Sequence, residues 1–167
     1  MKKYDLVVFD MDGTLFDSAD TIYKAAVKTF EMLGMKDVVF PREKFNNYIG
    51  AHFQDIFNDF RINVGDIEHY IEVYRDIYFD YIDDTKFYPG IPELLMDLQK
   101  SGTKLSLLTT KNQLQTERIS DYFNLHKFFP FLMGRKPGIK IKPDPEPLEI
   151  IINHYGSTKE KTVKIGY

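Results

Sequence analysis

The chain of 167 residues contains no cysteine and no tryptophan. Without cysteine there is no disulfide framework, no thiolate metal site and no thiol nucleophile, a composition suited to a reducing cytoplasm. No stretch approaches the roughly 20 consecutive apolar residues of a membrane span, so no membrane partner is expected. A basic excess is missing as well. The 22 Lys and Arg against 25 Asp and Glu leave a net charge of -3, and no dense cationic cluster offers a track for nucleic acid. The four histidines, His52, His69, His126 and His154, form no close ligand pair and read as packing or surface residues. The opening "MKKYDLVVFD" pairs two lysines with a short apolar run, but an acid interrupts it and no small-residue cleavage site follows. It reads as a first strand, not as a secretion signal. These absences favour a cytoplasmic protein with small-molecule partners.

What is present divides by periodicity. Residues 5–10, "DLVVFD", form a nearly continuous apolar run, the pattern of a parallel strand buried on both faces. Further strands are expected near 104–109, 129–133 and 162–166. Helices are predicted between them, one introduced by Pro89, Gly90 and Pro92 and another by the prolines of "DPEPLEIIINHYG". Residues 16–85 read differently. Ile22, Ala25, Ala26, Thr29, Phe30 and Leu33 recur at helical spacing until Gly34. Ile67, Tyr70, Ile71, Tyr74, Tyr78 and Tyr81 do the same, with charges largely opposite. The predicted fold is therefore α/β: a Rossmann-like parallel sheet with helices on both faces, built from 1–15 and 86–167, with an all-helical insertion at 16–85. Such sheets bind ligands beyond the C-terminal ends of their strands, where Asp10, Asp12 and Thr109 fall.

The segment "DMDGTLFDS" sets two carboxylates one residue apart at a strand end. A calcium loop needs glycine sixth and glutamate twelfth, whereas here glycine is fourth and the twelfth residue is Thr21. Asp10 and Asp12 flank a single residue, which strand alternation places on one face, and Gly13 permits the chain to turn directly after them. The alternative is that both acids merely cap the loop that follows.

Three segments together resemble the haloacid dehalogenase superfamily, in its phosphoglycolate phosphatase-like branch with a helical cap after the first strand. "FDMDGTLFDS" is similar to the family's first motif, "LSLLTTK" to its second and "IKIKPDPEPLE" to its third, in that order and each after a predicted strand. The resemblance implies a magnesium-dependent phosphatase for a small phosphorylated metabolite. Asp10 would be the nucleophile that forms an aspartyl-phosphate, and Asp12 the general acid and then base. Both would hold Mg2+, Asp12 through its backbone carbonyl. Thr109, Thr110, Gly13 and Lys142 would bind the phosphoryl group, with Lys142 also counted among the catalytic residues. Thr110 stands where the family often has asparagine, and Lys136 is a rival to Lys142. Asp12 argues against a dehalogenase, and Ile22 stands where the related sugar-phosphate mutases typically carry histidine.

The family's fourth motif places Gly-Asp and a further acid after the last strand. Here Gly166 matches the glycine, Tyr167 stands at the Asp position, and the sequence stops, as does the expected C-terminal edge of the sheet. Weak or absent turnover is expected of this chain on that ground, with phosphate binding retained. An alternative reading is a non-catalytic phosphate-binding or dimerising remnant. The last strand is expected to be a poorly covered edge, blunted by Lys164, that pairs with a second copy.

Overall fold

The structure is a computed structural model and describes residues 3–167; the first two residues of the predicted core lie outside it. In chain order the elements are β1 (Leu6–Phe9), β2 (Phe16–Asp17), α1 (Ala19–Met32), α2 (Arg42–Phe45), α3 (Phe53–Phe60), α4 (Ile67–Tyr78) and β3 (Lys86–Phe87). They are followed by α5 (Ile91–Lys100), β4 (Lys104–Asn112), α6 (Gln113–Tyr122), β5 (Phe131–Arg135), α7 (Glu146–Tyr155) and β6 (Thr162–Ile165). Backbone contacts separate two compact units, the residues up to Leu15 with Phe87–Tyr167, and Phe16–Lys86.

The first unit is a parallel sheet in the order β5-β4-β1-β6. Central β1 pairs with β4 from Leu6↔Lys104 to Phe9↔Leu107, and with β6 from Leu6↔Thr162 to Phe9↔Ile165. All four residues of β1 are buried, as its unbroken apolar pattern requires. Leu6 and Val8 pack on one face with Leu108, Met133 and the α7 residues Ile151 and Ile152. The alternate residue Phe9 meets Phe129 edge-on at 6.1 Å. Among the described residues β6 has one strand partner, β1. Lys164 does not project from that strand as a free charge: it is half-buried and donates to the Gly166 carbonyl at 3.0 Å.

Two strand boundaries differ from expectation. β5 begins two residues later than 129, because Phe129 is committed to the core against Phe9. β4 runs past 109 to Asn112, with an irregular register against β5 between Leu108 and Asn112. Gly134 fixes this irregular corner. A Cβ there would lie 2.6 Å from Thr116 Oγ1, 2.8 Å from the Lys111 carbonyl oxygen and 2.9 Å from Asn112 C. Two of those neighbours are backbone and cannot swing aside. Gly134→Ala is therefore expected to destabilise the protein by about 1–3 kcal/mol, read as a lowered urea midpoint at unchanged slope. An unchanged midpoint would show that the β4–α6 corner yields.

The second unit is helical, as the periodicity predicts, apart from its ends. Phe16–Asp17 forms a two-stranded sheet with Lys86–Phe87, so residues 16–85 are not all helix; Phe16 is buried and Asp17 exposed, the alternation of a half-buried strand. α1 and α4 pack together, and an aromatic core fills the unit. Phe30 lies 5.2 Å from Tyr70, Phe57 lies 4.8 Å from Tyr70, and Phe53 lies 4.6 Å from Tyr74. The tyrosine stripe is packing, and the buried Tyr70 hydroxyl is satisfied by donating to the Ala26 carbonyl at 3.1 Å. Asp66 caps α4, accepting from the Glu68 and His69 amides. Among the described residues no helix is long and apolar enough to cross a membrane.

Candidate active site

Asp10 follows directly on β1, and its backbone amide extends the ladder by donating to the Ile165 carbonyl at 2.9 Å. Its side chain is buried at 1% exposure. Lys142 reaches it from the segment before α7. The ammonium lies 2.9 Å from Asp10 Oδ1, and also donates to the carbonyl oxygen of Leu108 at 3.4 Å and to the main-chain oxygen of Tyr167 at 2.8 Å. Its three N–H donors thus meet acceptors from the residue after β1, from β4 and from the residue after Gly166. Asp10 Oδ2 is buried with no hydrogen-bond partner. Burial pushes the Asp10 carboxyl above the usual carboxylate range; Lys142 pulls it back in part, and the nearby Asp12 charge adds to the rise.

Gly13 makes the turn predicted for it, with φ +71°. Just before that turn the second carboxylate, Asp12, is also buried, at 4% exposure. Here the structure supplies a residue that the sequence reading passed over. Lys111 donates from Nζ to Asp12 Oδ2 at 2.6 Å, with both side chains nearly buried. Its signal was adjacency: Lys111 closes "LLTTK", two residues beyond Thr109, where alternation returns a side chain to the same side as the threonine. Thr109 is buried, and its Oγ1 accepts from the Lys111 amide at 3.3 Å. Thr110 is half-buried beside it.

Lys142, rather than Lys136, holds Asp10. Both lysines line a cleft at the ends of β4 and β5, together with Thr109, Thr110, Arg135 and Lys140. The Lys142–Pro143 peptide is cis. Gly166 has φ +94°, and a Cβ there would fall 2.2 Å from Thr14 Oγ1 and 2.8 Å from Asp10 Cβ, so the chain after β6 presses against the aspartate loop. The histidines stand apart: His52 caps α3 and His154 stacks on Phe131 at 4.0 Å. Among the described residues no group of three or more His, Asp or Glu side chains converges on a common metal position.

Two buried carboxylates, each held by its own lysine at the C-terminal end of a parallel sheet, can be compared with known proteins. The sequence profile described as haloacid dehalogenase-like hydrolase matches residues 7–166. The chain belongs to this family. Among the haloacid dehalogenase-like hydrolases it groups with phosphatases: it is 33% identical to the phosphoglycolate phosphatase of Aquifex aeolicus, covering 96% of this chain and 75% of that protein. It is 31% identical to the pyrophosphatase PpaX of Listeria monocytogenes, covering 98% of this chain and 75% of the relative. A solved haloacid dehalogenase-like family hydrolase from Streptococcus pneumoniae superposes with a TM-score of 0.81 at 25% identity, over 99% of this chain and 77% of the other.

Proposed function

We propose that the protein is a magnesium-dependent phosphatase acting on a small phosphorylated metabolite in the cytoplasm, through an aspartyl-phosphate on Asp10. The observation that carries this reading is the Asp10 carboxylate: one oxygen is held by Lys142, and the other is buried with no hydrogen-bond partner. A buried oxygen without a partner costs free energy unless a ligand completes it. In this reading the Asp10 carboxylate attacks phosphorus, and the bond from phosphorus to the leaving oxygen breaks as Asp12 gives that oxygen a proton. Water then attacks phosphorus, Asp12 takes its proton, and the bond to Asp10 breaks to release phosphate. Thr109, Thr110, the Gly13 turn and Lys142 bind the phosphoryl oxygens.

The donor set suits a hard cation. Mg2+ is usually bound by one or two carboxylates with substrate phosphate and retained waters, and the Asp10 carboxylate with the Asp12 backbone carbonyl would supply oxygen ligands of that kind. When bound it would neutralise the charge between the Asp10 carboxylate and a phosphate dianion. The helical unit Phe16–Lys86 is assigned the role of a cap that selects the leaving group.

The test is phosphate release from a panel containing phosphoglycolate, pyrophosphate and simple sugar phosphates, with Mg2+ and with chelator. Weak release that requires Mg2+ and stops on chelation is the expected result, because no third acid completes the metal position among the described residues. Release undiminished by chelation would remove the metal from the reading. The structure also shows Asp10 and Asp12 without a third acid among the described residues. A chain that binds phosphate, seen as a raised melting temperature, but never releases it from an ester would be a non-catalytic phosphate binder.

A further inference from the structure

We infer that Lys111 is a positioning residue, holding the Asp12 carboxylate in place for both of its proton transfers; the inference rests on the phosphatase reading above. The ammonium and Asp12 Oδ2 are 2.6 Å apart, and the two side chains are 9% and 3% exposed. A surface lysine paired with a surface acid would mean little, but a buried pair excludes water and holds both groups to one geometry. The mount is also rigid. The Lys111 amide donates to Thr109 Oγ1 at 3.3 Å, and the next residue, Asn112, caps α6 by accepting from the Gln115 amide at 2.8 Å. On the other side the Lys111 carbonyl packs so tightly against Gly134 that no Cβ fits between them. The segment that places the phosphate-binding hydroxyl of Thr109 therefore also fixes where Asp12 points. Asp12 stands just before the Gly13 turn and past the end of the regular β1 ladder, where the Lys111 ammonium reaches its Oδ2. A group that must meet a leaving oxygen and then a water loses on the order of 100-fold in rate when displaced by about 1 Å.

Lys111→Met and Lys111→Arg test this with two substrates, an alkyl phosphate whose alcohol must be protonated to leave, and nitrophenyl phosphate, whose phenolate leaves without a proton. Lys111→Met is expected to lower kcat on the alkyl ester by about 100-fold, with KM and inhibition by inorganic phosphate within roughly threefold of wild type. On the nitrophenyl ester the first turnover should survive as a burst of nitrophenolate, followed by a slowed steady state, because the second step still needs Asp12 as base. Lys111→Arg should recover part of the alkyl-ester rate. If Lys111→Met does not fold, Lys111→Gln is read in the same way. Equal losses on both esters, burst included, would overturn the inference in favour of a merely structural role. A raised KM and weakened phosphate inhibition at retained kcat would overturn it in favour of direct phosphate binding. Should wild type release phosphate from no ester, the phosphatase reading falls and this inference with it; given wild-type turnover, only the role of Lys111 is at stake.

Discussion

Asp10→Asn is expected to abolish phosphate release while leaving the fold at least as stable as wild type at neutral pH. The loss of rate follows from removing the attacking carboxylate, a change that costs about 10³-fold or more where a covalent nucleophile is deleted. The stability half follows from the direction of the Asp10 shift. Burial lifts this carboxyl above its ordinary range, and Lys142 offsets the rise only in part. The folded state therefore holds the Asp10 proton more tightly than the unfolded chain does. Ionisation of Asp10 costs stability as pH rises from the unfolded carboxylate range through the folded pKa, and the whole cost is present above it. The neutral amide avoids that cost and still offers an oxygen to Lys142. The measurement is a pair of thermal melts at neutral and acidic pH beside the activity assay. Asn should match or exceed Asp at neutral pH, with the advantage shrinking as Asp10 protonates. A clear fall in melting temperature at neutral pH would show that the ionised pair stabilises the fold.

The same shift bears on activity. Because the nucleophile must be ionised both to attack and to hold Mg2+, metal binding should weaken as pH falls and Asp10 takes up its proton, and activity should fall with it. Site and stability pull in opposite directions at this residue, as they often do where a fold carries a reactive group.

How much of this was legible in the sequence depends on which physical signal each part carries. β1 was readable because a strand buried on both faces has no polar position, and Leu6–Phe9 has none. The helical unit was readable because α1 and α4 each bury one stripe at helical spacing. Asp10 and Asp12 were visible as acids placed against an apolar run, with a glycine to turn the chain between them and the next segment. Lys142 was visible only through the motif it resembles, since an isolated lysine among prolines carries no local mark of burial. Lys111 was missed for a related reason. Its partner is 99 residues away, and the one local signal, alternation from Thr109, does not show what the ammonium will meet. The short β2–β3 pairing escaped notice too, because two-residue strands have no period to detect. Long-range polar pairs thus separate what pattern reveals from what only the assembled sheet shows.

Lys142→Met should lower both activity and stability, and its pH signature distinguishes it from an ordinary core defect. The Lys142 side chain is 5% exposed, and its ammonium is the hydrogen-bond partner of Asp10 Oδ1. Removing one member of a buried ion pair leaves the other uncompensated and typically costs about 3–5 kcal/mol. Here the Leu108 carbonyl loses its donor as well. Asp10 can escape part of the penalty by taking up a proton. The deficit should therefore be largest at neutral pH, where Asp10 would otherwise be ionised, and narrow as pH falls and the carboxyl becomes neutral in wild type and variant alike. Without the lysine the carboxyl rises further, so whatever activity remains should have its acid limb moved to higher pH. Urea midpoints for wild type, Lys142→Met and the double variant Asp10→Asn/Lys142→Met, each at neutral and acidic pH, would show this. The double variant should recover much of the loss at neutral pH, because it contains neither charge. A deficit independent of pH, with no recovery in the double variant, would mean that Lys142 acts through its packed methylenes and not through its charge on Asp10.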